Sequence, residues 1–228
     1  MSFIIKKSLD IDSLYNPVAY WLLEESSGNR LDITNNGWTL QEGSSVPNTT
    51  GKLGFAAEFN NSNNTSYLEN TNLSLGDTFS ISCWIKLYNV GPTQCFWGTG
   101  GNGGDLISFY SEPNFTLYND RSSDIDTGFS PQPNIWYHAV SIVTPTEMKL
   151  YINGNLAGSL SQNISNSWTG FALSDFKILG GHNFQIDGAI DEVGIWNFNL
   201  SETQIKNLYN ILTNILINRL IVKKIVNL

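Results

Sequence analysis

Acidic residues are the first place to look for chemistry in this chain. Retaining glycoside hydrolysis needs two carboxylates roughly 5–5.5 Å apart. On a strand that means acids two or four residues apart on one face. The pairs Glu24-Glu25 and Asp191-Glu192 are adjacent and so project to opposite faces. Asp120, Asp124 and Asp126 fall in a Ser-rich stretch without a strand pattern. His138 and His182 lie in separate segments, and neither sits in a triad-like block. The run Gly98–Asp105 is Gly-rich, but it lacks the Lys-Ser/Thr and the following helix of a phosphate cradle. No catalytic residue is therefore expected.

Binding is the chemistry that remains. Sugars are held by aromatic faces beside amides and carboxylates. Trp97 and Tyr110 flank the Gly98–Asp105 loop, which offers Asn102 and Asp105. Trp38 and Trp168 are further candidate contacts, although a sandwich core competes for every aromatic. Two Cys, Cys83 and Cys95, exclude a disulfide framework and a multi-Cys zinc site, and both are expected as buried thiols. Twelve Lys and Arg against 20 Asp and Glu give a formal charge of −8. That balance excludes the basic stripe a nucleic-acid binder needs.

These side chains must be positioned by strands. Phe79, Ile81, Cys83 and Ile85 alternate with Ser80, Ser82 and Trp84, which is the period of a strand with one face on a core. Similar runs are read at Val18–Leu23, Trp38–Gln41, Phe55–Phe59, Tyr67–Glu69, Gln94–Trp97, Leu106–Tyr110, Thr116–Tyr118, Trp136–Val143, Met148–Ile152, Phe176–Leu179 and Ala189–Trp196. Asn153-Gly154 is the preferred two-residue hairpin turn. Asn70-Thr71-Asn72 reads as a loop, and Asp32 with Asn35 and Asn36 as a turn. Many short strands with frequent turns indicate a two-sheet sandwich. Ser201 and Gln204 have capping-box spacing, and the apolar residues after them recur at helical intervals. One long helix is expected from Ser201 to Leu228.

Several blocks resemble one family. They are Ala19-Tyr20-Trp21-Leu22-Leu23-Glu24, Gly51–Phe59, Phe79–Lys86, Trp136–Val140, Leu150–Gly154 and Gly188–Asn197, followed by Leu200-Ser201-Glu202. In this order they resemble a laminin-G-like jelly roll of the concanavalin A-like lectin/glucanase superfamily. The resemblance implies an all-β fold of two antiparallel sheets, with Trp21, Trp84, Trp136 and Trp196 in the core. It also implies one structural Ca²⁺ at Asp191, completed by backbone oxygens near Gly54 or Asn16–Pro17. The glucanase relatives' Glu-x-Asp-x-Glu run is missing here.

The expected organisation is an N-terminal arm at 1–17, a jelly roll at 18–200 and a C-terminal helix at 201–228. The expected function is a non-enzymatic, surface-displayed module that binds a glycan or a surface protein. Its place would be a larger assembly, a virion head or tail, with residues 211–228 contacting other subunits. The alternatives are a structural decoration protein without a ligand and a glycoside hydrolase of the same fold. Neither a signal peptide nor a membrane span is read from the sequence, so a virion or extracellular surface would be reached by another route.

Overall fold

Alternation along the chain is realised as two antiparallel sheets packed face to face in a jelly-roll sandwich. The computed structural model describes residues 14–60, 66–100, 106–120, 123–164, 166–174, 184–211 and 213. The first sheet has eight strands. Its path is β13 (Asn155–Ser161), β12 (Glu147–Ile152), β11 (Trp136–Thr144), β6 (Phe79–Leu87), β15 (Gly188–Trp196), β4 (Phe55–Phe59) and β3 (Asn48–Thr50). Strand β1 (Ala19–Trp21) pairs separately with β15. The second sheet has seven strands: β10 (Ile125–Asp126), β9 (Phe115–Asn119), β8 (Leu106–Ser111), β7 (Gln94–Gly100), β14 (Trp168–Leu173), β5 (Leu68–Gly76) and β2 (Gln41–Glu42).

The inward faces supply the main core. Ile81, Cys83 and Ile85 of β6 meet Ile107 and Phe109 of β8 and Trp97 of β7 within it. Trp21 stacks on Phe171 across the interior, with centroids 5.6 Å apart and planes at 4°. Such stacking adds about 0.5–1.5 kcal/mol beyond the area it buries. Asn153 and Gly154 have φ of 51° and 79°. Positive φ at both central residues is what the hairpin between β12 and β13 requires. Asp32 is the turn residue expected, accepting from the N–H groups of Tyr20, Thr34 and Trp38.

Local expectations fail where tertiary pairing decides. Asn70-Thr71-Asn72 lies inside β5, because β14 pairs with it. Gly98–Gly100 extends β7, held by β8 and β14. Strands β3, β10 and β14 have no counterpart among the runs read from sequence. Trp136 is half-buried instead of a core residue. The run Phe176–Leu179 lies outside the described residues. Cys83 and Cys95 belong to different sheets, are both buried and form no disulfide.

The helix begins as expected. Ser201 N–H donates to Gln204 Oε1 at 2.8 Å, and Gln204 N–H donates back to Ser201 Oγ at 3.3 Å. Helical backbone follows over 202–211. Its apolar side chains Ile205 and Leu208 are buried with Val140, Ile142 and Trp196, on the outward face of the first sheet. These turns therefore pack on their own sandwich. Leu14, in the segment read as an N-terminal arm, joins the same cluster and accepts a bond from Trp196 Nε1. Of the segment assigned to subunit contacts, residues 212 and 214–228 lie outside the described residues.

Candidate functional site

The aromatic residues singled out from sequence separate into two groups. Trp97 and Trp168 have no exposed surface and sit in the main core, so neither offers a ring face to a ligand. Trp38 is half-buried and packs against that core. Tyr110 is half-buried on the outward face of the second sheet, edge-on to Tyr118 at 6.1 Å. Burial, with Asp124 and Glu112 nearby, pushes its phenol up to about 12. Asn102 and Asp105 lie outside the described residues. Among the described residues, the four remaining candidates are not gathered into one site.

A different cleft, of about 240 Å³, opens at one end of the sandwich. Its lining comes from four separate parts of the chain: Ser45 and Pro47, Glu58 with Ser66, Tyr88, and Asp187. Strand pairing brings them together. The end of β6, the start of β15 and the end of β4 lie side by side, with Gly188 opposite both Leu87 and Phe59. Tyr88 N–H donates to the Asp187 carbonyl at 2.8 Å, which continues the ladder past the strand end. Tyr88 Oη donates to Glu58 Oε1 at 2.6 Å. Burial and this bond push the Tyr88 phenol up to about 12. Asn89 Nδ2 donates to Asp187 Oδ2, and Asp187 N–H donates to Gln94 Oε1 at 2.7 Å. Ser66 Oγ donates to the Ser45 carbonyl at 3.1 Å. Both carboxylates are thus held by neighbours, in a wall of hydroxyl, amide and ring. Such a wall can accept and donate hydrogen bonds to a polyhydroxylated ligand.

The chain matches the Laminin_G_3 family of the concanavalin A-like lectin/glucanases superfamily over residues 60–206, well over half its length. It belongs to that family. No curated protein matches this laminin-G-like chain at a significant level. Among solved structures it is similar to domain 4 of AbnA, a GH43 extracellular arabinanase from Geobacillus stearothermophilus, in complex with arabinotriose. There the identity is 22%, the TM-score 0.67, and the match covers 85% of this chain and 98% of that one. It is similar to Trypanosoma rangeli sialidase at 15% identity and TM-score 0.65, covering 84% of this chain and 32% of the sialidase. It is also similar to the binding domain of botulinum neurotoxin serotype G at 19% identity and TM-score 0.62, covering 86% and 51%. This chain therefore spans about a third of the sialidase and half of the toxin domain. At these identities the likeness is one of fold.

The laminin-G-like domain places Asp191 where the sequence put it, in the last strand, but its main partner is backbone. Asp191 is fully buried, and its Oδ2 accepts from Leu53 N–H at 2.9 Å. The Gly51–Gly54 turn presses close: a Cβ on Gly51 would lie 2.7 Å from Oδ2, and one on Gly54 would lie 2.1 Å from Glu24 Oε1. Gly54 also has φ +74, the left-handed conformation that favours glycine. Glu24 accepts from Phe55 N–H, and Glu192 accepts from Tyr20 Oη at 2.7 Å. Burial, then the Glu192 charge, raises the Asp191 carboxyl well above its ordinary range. Oδ1 of Asp191 has no hydrogen-bond partner. Calcium takes six to eight oxygens. Among the described residues no group of three His, Cys, Asp or Glu side chains gathers around a common point. The orphaned oxygen is one donor, and any further ligands would be backbone carbonyls and water.

Among the described residues no helix is long and apolar enough to cross a membrane.

Proposed function

We propose that this laminin-G-like domain is a non-enzymatic glycan-binding module and that the cleft around Glu58, Tyr88 and Asp187 is its site. The observation that carries the reading is the lining itself: two carboxylates, two serines and a half-buried tyrosine converge at a strand-end cleft. Support comes from the arabinanase domain of the same fold that was solved with arabinotriose. The finer placement, as a displayed component of a virion head or tail, rests on the family match, the missing Glu-x-Asp-x-Glu run and the Asn-rich composition, and a map of the native particle tests it.

Titration calorimetry with arabinotriose and a glycan array is the direct test. Saturable binding is expected, weakened at least tenfold in Glu58→Gln, since a hydrogen bond to a charged acceptor contributes about 1.5–3 kcal/mol. Binding of protein partners but of no glycan would move the reading to protein recognition. Binding of neither would leave a structural decoration. Release of reducing ends from a glycan would make the chain a hydrolase.

Calcium at Asp191 is proposed beside this, supported by the unpartnered buried Oδ1. Chelation is expected to lower the melting temperature, and Asp191→Ala to abolish that response. Without any cation, Asp191→Ala still strands the buried Leu53 N–H, at a cost of about 1–3 kcal/mol. Identical melting curves with and without chelator would leave Asp191 only the task of closing the 51–54 turn.

A further inference from the structure

We infer, on the reading of the cleft as a glycan site, that the ligand is a linear, hydroxyl-rich chain that continues from the cleft along the same end of the sandwich to Phe129, and not a single terminal sugar. A second, shallower groove of about 290 Å³ opens there between Thr127–Phe129 and the tip of the β12–β13 hairpin. Register places the two openings at one end. Lys86 of β6 lies opposite Trp136, the first residue of β11, and the hairpin tip reaches the level of His138 two residues on. From β15 to β12 there are three strand spacings, and to β13 four. The separation is therefore roughly 14–19 Å. One sugar ring does not bridge that.

Rings stand at this end of the sandwich on both sides of β11, with Trp136 on its outward face and Phe129 over its inward neighbour Tyr137. Lys86 Nζ lies 5.4 Å from the Tyr88 centroid and 4.9 Å from that of half-buried Trp136, so it joins the wall of the cleft to the next ring. Ile135, just before Trp136, is half exposed. Phe129 is 37% exposed, and it is not a loose ring. It stacks on Phe115 with centroids 5.6 Å apart and planes at 9°, and it meets Tyr137 edge-on at 5.4 Å. A ring held on one side and open on the other is a stacking platform that loses little freedom on binding. Asn153 and Asn155 border it. Asn153 Oδ1 accepts from His138 N–H, and Asn155 Nδ2 donates to the Asn153 carbonyl at 3.3 Å, which leaves each amide a further group to offer.

Charge selects among occupants. The second groove has no ionisable side chain in its lining, whereas the first carries Glu58 and Asp187. An acidic chain would gain Lys86 but meet both carboxylates, and an apolar peptide would bury amides without partners. A neutral saccharide avoids both costs.

The test is a length series of arabino-, cello- and chito-oligosaccharides, one to six units, titrated into the whole chain. Affinity is expected to rise about tenfold or more between one and four units. Phe129→Ala should erase that rise while leaving the shortest sugars within about twofold of wild type. Asn155→Ala, on an exposed side chain away from the core, should reduce the rise without disturbing the fold. Glu58→Gln should weaken every length. An affinity independent of length, or an equal loss at all lengths in Phe129→Ala, would overturn the extended site and leave the cleft intact. Absence of binding at any length would overturn the glycan reading, and this inference with it.

Discussion

Trp97→Ala is expected to lower stability by about 3–5 kcal/mol, as for other large-to-small changes of buried aromatics. Trp97 has no exposed surface, lies against Phe171 at a centroid distance of 6.4 Å, and shares the main core with Phe96, Phe109 and Phe115. Each of those rings is itself fully buried, so no solvent-facing side chain is placed to fill the space left behind. For a chain of this size the melting midpoint should fall by roughly 10 °C. Differential scanning calorimetry reads that fall. Glycan affinity measured well below the new midpoint should stay at the wild-type value, because the cleft lies elsewhere. A variant that melts like wild type but binds more weakly would return Trp97 to the ligand.

The second large effect is on the pH dependence of stability. His138 is fully buried on the outward face of β11 beneath Trp84 and Tyr209, with ring centroids 5.2 and 5.9 Å away. Its Nε2 is 2.8 Å from Ser82 Oγ, and Nδ1 has no partner. Burial, with a smaller push from Lys52, lowers the imidazole from 6.5 to about 3. In the unfolded chain it titrates near 6.5, so between about pH 6.5 and 3 the unfolded state binds the extra proton. The stability contributed by the neutral buried ring is thus present above pH 6.5 and lost as pH falls towards 3. The slope is about 1.4 kcal/mol per pH unit, or about 2–3 kcal/mol by pH 4.5. Asp191 acts with the opposite sign: its raised carboxyl favours the folded state at low pH, and that contribution is lost as pH rises. The difference between wild type and His138→Gln therefore isolates the imidazole. Chemical denaturation at pH 7 and pH 4.5 should show a smaller acid loss in the variant. Equal losses in the two proteins would mean that His138 is solvated or charged in the folded state.

Much of the architecture is legible in the chain as written. Phe55–Phe59 is a strand at the bounds read from sequence, and the alternation of Phe79, Ile81, Cys83 and Ile85 marks the core face of β6, although Ser80, Ser82 and Trp84 on its other face are buried as well. Asn153-Gly154 and Ser201 with Gln204 are local devices. The dihedrals of the first and the hydrogen bonds of the second involve neighbours in sequence, so residue type alone announces them. Asp191 too is correctly set in the last strand, although the Leu53 N–H it accepts from is far away in the chain.

The site was not legible in the same way. All seven residues of β7 are buried, so alternation cannot tell a core ring from an exposed one, and a register shift between Cys95 and Trp97 disturbs the period further. Trp97 therefore looked as available as Tyr110. Ser45, Glu58, Ser66, Tyr88 and Asp187 have no common spacing; the pairing of β4, β15 and β6 brings Glu58, Tyr88 and Asp187 together, and Ser66, bonded to the Ser45 carbonyl, completes the lining with it. Phe129 reads as a single aromatic between turn residues until Phe115 and Tyr137 fix its ring. Short-range periodicity and turn chemistry determined most of the strands, the hairpin and the helix start, since those depend on contacts a few residues apart. Which side chains meet at the strand ends was decided by non-local strand register, which no local pattern encodes.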